Sequence, residues 1–196
     1  MAARPNQTFS TSGPGAQVLR KYLADAYTSE TKCESELRRF AATGNDEDVQ
    51  STFASHADET KAHAVQLREH YAKLYTDTEL NSGPVSLFDL AFPPLANAAN
   101  SGPAVPEEIT LQNLLMAYTV ETGEIAMYET LAALATAAGD AETELLARKL
   151  QSDERRAADK IWHFISTRAK LAFNMLTVSE VDPAVDTKMA DDRIVQ

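Results

Sequence analysis

Three histidines, His56, His63 and His70, recur at steps of seven inside one long stretch whose apolar residues keep a helical period. At 3.6 residues per turn a step of seven is almost two turns, so the three imidazoles lie nearly in line along one side of a helix. Glu59 falls between His56 and His63 on that side. The accompanying stripe of Phe53, Ala57, Thr60, Ala64, Leu67, Tyr71 and Leu74 must face a core. The histidines have two readings: polar residues bordering that stripe, or donors turned into the core, as in helical bundles that build metal sites from facing helices. The choice depends on what the rest of the chain places opposite them.

The remaining segments repeat the same helical logic. Ala16, Leu19, Leu23, Ala26, Cys33, Leu37 and Phe40 recur at steps of three and four, which predicts a first helix from about Ala16. Gly44 stops it, and Asn45, with Asp48 three residues on, is the expected cap of a second helix over about 46–75. From Thr76 to Pro106 the breakers Asn81-Ser82-Gly83-Pro84, Pro93-Pro94 and Asn100-Ser101-Gly102-Pro103 exclude a long helix, leaving room for a short turn over 85–92. A connection of this length can return along the bundle, so the third helix is expected to start at the same end as the second. That helix spans about 106–138, with Leu111, Leu114, Leu115, Tyr118, Ile125, Tyr128, Leu131 and Ala132 as its apolar face. Gly139-Asp140 starts a fourth, carrying Leu146, Leu150, Ala157, Ile161 and Phe164.

The expected layout is a flexible leader over 1–15, an all-α, ferritin-like four-helix bundle over 16–172 with a long crossover between helices two and three, and an acidic, poorly ordered tail over 173–196. A chain of 196 residues with 44% hydrophobic content supports one core of this size. Its net charge of −11 opposes binding to nucleic acid or to an anionic membrane surface. The single cysteine, Cys33, excludes an internal disulfide and is expected to pack as a small apolar residue. With no apolar leader and no membrane-length run, the expected location is the cytoplasm. Trp162, beside the fourth stripe, is expected to serve packing.

Each predicted helix carries an acid at an inward or near-inward position near its middle: Glu30, Glu59, the pair Glu121 and Glu124, and either Asp153 or Glu154. Charged groups there are costly unless paired or ligated. Tyr118 and Tyr128 flank the third-helix pair and are candidate hydrogen-bond donors.

Tyr27-Thr28-Ser29-Glu30-Thr31-Lys32, His56-Ala57-Asp58-Glu59-Thr60-Lys61-Ala62-His63 and Val120-Glu121-Thr122-Gly123-Glu124-Ile125-Ala126-Met127-Tyr128 resemble the YciE/YciF-type bacterial stress proteins of the ferritin-like superfamily, over roughly 17–75 and 108–172. The resemblance implies a bundle paired as a homodimer, with a two-metal carboxylate site at its centre. Glu30, Glu59, His63, Glu121 and Glu124 match the family's acidic and histidine pattern, and His56 matches its recurrent histidine. Ferritin-like helices two and four usually carry Glu-x-x-His, whereas here His56 precedes Glu59 and the fourth helix offers no histidine before His163.

The expected metal set is Glu30, His56, Glu59, His63, Glu121, Glu124 and Asp153. Hard oxygen donors with imidazole suit two iron or manganese ions, with no organic cofactor. The function that follows is handling of iron, oxygen or peroxide under stress. The alternative is a metal-free structural or interaction protein that keeps the bundle with a degraded site.

Overall fold

The computed structural model describes residues 11–75, residue 80 and residues 105–181. The short turn expected over 85–92, most of the crossover and leader, and the tail beyond 181 lie outside them. Four helices run in order: α1 (Pro14–Ala41), α2 (Glu47–Leu74), α3 (Pro106–Ala138) and α4 (Ala141–Val181).

Their ends follow from local chemistry. Pro14 opens α1 and Pro106 opens α3, where a missing N–H costs nothing. Gly44, at φ 85°, turns the chain between α1 and α2; a β-carbon there would collide with the Thr110 hydroxyl. The cap of α2 is Asp46, not the expected Asn45: Asp46 Oδ1 accepts from Val49 N at 3.0 Å. Asn45 instead donates to Glu107 at 2.7 Å, holding the turn against the start of α3. Gly139, left-handed at φ 78°, ends α3, and Asp140 caps α4 through Thr143 N at 3.0 Å.

Contacts across the bundle set the topology. The α1–α2 turn meets the start of α3 through Asn45–Glu107 and Asn113–Thr43 (2.9 Å). Arg168 of α4 reaches Asp46 at the start of α2, with Nε 2.6 Å from Oδ2, while His70 near the end of α2 meets Thr143 at the start of α4. Helices α2 and α3 therefore start at the same end, and α1 and α4 run the other way.

The apolar core lies in two clusters. One packs Leu19, Leu23, Leu67, Tyr71, Leu131 and Leu150 at the α1 start; the other packs Leu37, Phe40, Phe53, Leu114, Val120 and Ile161 at the opposite end. Fully burying a side chain of this size is worth about 1.5–3 kcal/mol. The face of α3 differs in phase from expectation. Leu115 is 48% exposed, and Leu111, Tyr118 and Ile125 are half-buried, while Ala117, Val120, Met127 and Ala135 are buried. The helix is apolar on nearly every side, so its pattern alone does not choose a face.

Helix α4 continues past Phe173 to Val181, through residues expected to belong to the tail. No glycine or proline interrupts the chain before Pro183, and elongating an existing helix needs no new nucleus. Among the described residues no helix is long and apolar enough to cross a membrane.

Candidate metal centre

Between the two apolar clusters lies a polar layer. Glu30, Glu121 and Glu154 are 0% exposed, and Glu124 and His63 are 2% exposed. His56 completes the layer at 6% exposure. The stripes that bury the leucines put these residues there: Glu30 occupies the inward slot between Ala26 and Cys33, and Glu154 the slot between Leu150 and Ala157.

Glu154 links the histidines. His63 Nδ1 lies 2.8 Å from Glu154 Oε1 and 3.5 Å from Glu30 Oε1. His56 Nε2 lies 2.9 Å from Glu121 Oε1 and 3.9 Å from Glu154 Oε2. Two donor sets result, Glu30–His63–Glu154 and His56–Glu121–Glu154, each with one ligand atom per residue within 4.8 Å of the others. They share the Glu154 carboxylate.

These short contacts are charge pairs whose geometry is poorly directed for hydrogen bonds. His56 Nδ1 and Nε2, His63 Nδ1, both oxygens of Glu121 and of Glu154, and one oxygen each of Glu30 and Glu124 are buried without a well-directed partner. Buried polar groups are nearly always satisfied, so this many in one layer point to a missing partner. The remaining oxygens are held: Tyr128 OH donates to Glu30 Oε1, and Ser29 Oγ donates to Glu124 Oε1 at 2.8 Å.

The electrostatics show what the layer does with protons. Burial pushes Glu30 up to about 7, against the pull of His63, and Glu121 up to about 8, against His56. Burial, then the carboxylates of Glu30, Glu154 and Glu121, raise Glu124 well above the ordinary range. Glu154 stays below that range despite burial, because His63 and His56 favour its anion. Burial opposes charge on both histidines, yet Glu121 and Glu59 raise His56 to about 10, and Glu154 and Glu30 raise His63 to about 10.

Of the residues expected at the centre, Glu30, His56, His63, Glu121 and Glu124 are in the layer. Glu59 and Asp153 are at its rim. Glu59 has a 35% exposed side chain, and Asp153 sits 3.4 Å from His63 Nε2 but is drawn outward by Arg156 at 2.5 Å. With His63 they make a further, more open donor set. The innermost carboxylate of α4 is thus Glu154, which the expected set omitted in favour of Asp153. Both positions satisfy the helical period; the signal that separates them is Arg156, three residues after Asp153, which gives that acid an outward partner.

His70 is not part of the centre. The Thr143 hydroxyl donates to Asp140 Oδ2 at 2.5 Å, so His70 Nε2, 2.6 Å from Thr143 Oγ1, must be the donor in that contact. It ties α2 to the cap of α4. Tyr118 also stays outside, packed on Trp162 with ring centroids 5.2 Å apart. A cavity of about 260 Å³ between α2 and α4, lined by Ser55, His56, Ala157 and Lys160 among others, leads from the surface to His56.

A family model described as a domain of unknown function (DUF892) matches residues 16–172. Among solved structures, the fold is similar to YcfI from Rhodopseudomonas palustris, described as a candidate structural protein. That match has 23% identity and TM-score 0.67, covering 76% of this chain and 93% of the other. It is also similar to a protein from Xanthomonas campestris pv. campestris (20% identity, TM-score 0.63, 86% and 99% covered). A third similar structure is the E. coli stress protein YciF (19% identity, TM-score 0.64, 81% and 99% covered). No curated protein matches the sequence significantly.

Proposed function

The chain belongs to the DUF892 family, and from that premise we propose that its polar layer holds two iron or manganese ions and that the protein handles iron, oxygen or peroxide under stress. The observation that carries this reading is Glu154: a fully buried carboxylate, without a well-directed hydrogen bond, shared by two sets that each contain one histidine and one further glutamate. The donors are oxygens and imidazole nitrogens, the set preferred by hard and borderline divalent ions. Glu30, His63 and Glu154 would hold one ion, and His56, Glu121 and Glu154 the other. Two such ions, when bound, supply electron transfer to or from oxygen species.

The chain's own residues prepare that site. Tyr128 fixes the orientation of Glu30 through its hydroxyl, as an outer partner orients a ligand. Arg156 bridges Asp153 and Glu59, at 2.5 Å and 3.7 Å, and closes the rim above His63. The cavity beside His56 gives small molecules a way in, and the two apolar clusters keep water from the layer above and below. The stress role takes its support from the similarity to YciF.

A second reading is favoured by one observation. Between about pH 7 and 8, with His56 and His63 charged, Glu154 and Glu30 ionised and Glu121 and Glu124 protonated, two positive and two negative charges cancel without any ion, so the bundle can serve as a metal-free structural or interaction protein. The measurement that separates the two is elemental analysis of protein purified without chelator, followed by thermal unfolding with iron(II) or manganese(II). The metal reading expects bound metal and, at one hundred times the dissociation constant, stabilisation of about 2.7 kcal/mol that Glu154→Gln abolishes. A melting temperature indifferent to both ions would select the metal-free reading.

A further inference from the structure

The lone cysteine lies beside this layer rather than simply filling the core. Cys33 is 2% exposed, and its sulfur and one oxygen from each of Glu121 and Glu124 lie within 4.8 Å of one another. We infer that Cys33, Glu121 and Glu124 form a separate cation site on the α1–α3 side of the bundle, suited to a thiophilic divalent ion of the zinc or cobalt class.

The second observation behind this inference is Glu124. It is 2% exposed, it lies one turn of α3 beyond Glu121, and neither histidine contacts it. Ser29 donates to Oε1 and fixes the carboxylate, while Oε2 is buried with no partner. Both oxygens of Glu121 are likewise without a well-directed hydrogen bond. Ligand atoms this close can converge on one ion at about 2.0–2.3 Å with small side-chain rotations. A thiolate among the donors shifts preference from manganese towards zinc and cobalt, which sets this site apart from the oxygen–imidazole sets. Binding exchanges the thiol proton, and the protons that burial holds on Glu121 and Glu124, for the ion and releases them to solvent, with no change in oxidation state. Glu121 belongs both to this set and to the His56 set, so the layer offers three contiguous positions, running from His63 on one side to Cys33 on the other. The Cys33 position does not require the histidine sets to be filled.

Cobalt(II) alone, added to the full metal-free chain, is the probe. Because the chain has one cysteine, a near-ultraviolet sulfur-to-cobalt charge-transfer band in the wild type can come only from Cys33. The expected result is such a band saturating at one equivalent, absent in Cys33→Ser and Cys33→Ala and retained in His63→Ala. Ser29→Ala should weaken binding about 10–100-fold by freeing the Glu124 carboxylate. Circular dichroism checks that each variant keeps its helices, and should one cysteine variant unfold, the wild-type band and Ser29→Ala still decide. Visible cobalt absorption without the sulfur band overturns this inference and leaves the histidine sites standing. A sulfur band that survives while His63→Ala and Glu154→Gln change no cobalt stoichiometry upholds it and counts against the histidine sites. A wild type showing no cobalt absorption overturns it outright.

Discussion

The two ends of the bundle and its middle are built on the same four helices and are equally dry, yet burial has opposite consequences in the two places. At the ends, Phe53 at 1% exposure packs on Phe40 with centroids 5.5 Å apart, and every apolar atom removed from water stabilises the fold. In the middle, Glu30, Glu121, Glu124 and Glu154 are as thoroughly buried as the leucines, and each costs free energy until a proton, an imidazolium or a cation neutralises it. The ends thus stabilise the fold while the middle draws on that stability.

The largest expected effect of a single substitution separates the two regions directly. Phe53→Ala should destabilise the protein by about 3–5 kcal/mol. In thermal unfolding the loss should be the same at acidic and alkaline pH and should leave metal content unchanged. A pH-dependent loss would mean that the end cluster and the layer are not independent.

Next comes the pH response of the metal-free protein. Glu30 and Glu121 titrate in the folded state at about 7 and about 8, above the ordinary value of 4.5, so the folded chain holds the extra protons. Their contribution is complete below about 4.5 and is lost as pH rises through those folded values. His56 and His63, raised from 6.5 to about 10, act in the same direction: their contribution is present below 6.5 and lost as pH rises through 10. Glu154, held low, acts oppositely, and only at the acidic edge. Stability should therefore fall from mildly acidic pH towards pH 10, by about 1.4 kcal/mol per pH unit for each extra proton held. Glu121→Gln should flatten that slope, and saturating metal should abolish it above about pH 6.5 and reverse it below, because cations displace the same protons and only the unfolded histidines then still bind them. A flat profile in metal-free wild type would show that the layer carries no surplus protons.

The smallest effect tests the surface against both regions. Trp162 is 57% exposed and meets Tyr118 outside the layer. Trp162→Ala should cost about 0.5–1.5 kcal/mol, the range for an aromatic pair, with metal content unchanged by elemental analysis. Lost metal with intact helices would place Trp162 in the support of the centre.

Much of this arrangement follows from the order of residues alone. Periods of three and four define the four helices; Gly44, Pro106 and Gly139 place their ends; and Glu30, His56, His63, Glu121 and Glu124 fall on inward slots, because on one helix the direction of a side chain follows from its number. The family motifs carried the same residues and the bundle they belong to.

What the tertiary structure decided is whatever depends on a neighbour supplied by another helix or by the next turn. Period alone admits both Asp153 and Glu154; Arg156 draws the first to the rim and His63 takes the second into the layer. Glu59 has a clear sequence pattern but ends at the rim beside Asp153 and Arg156. His70 shares the line of His56 and His63, yet the start of α4 sets Thr143 opposite it in place of a carboxylate. The face of α3 was undetermined because an all-round apolar helix has no preferred side until it packs. Cys33 was legible as a buried small residue, but that two glutamates of α3 converge on it was not, since helical period fixes directions within a helix and only packing fixes distances between helices.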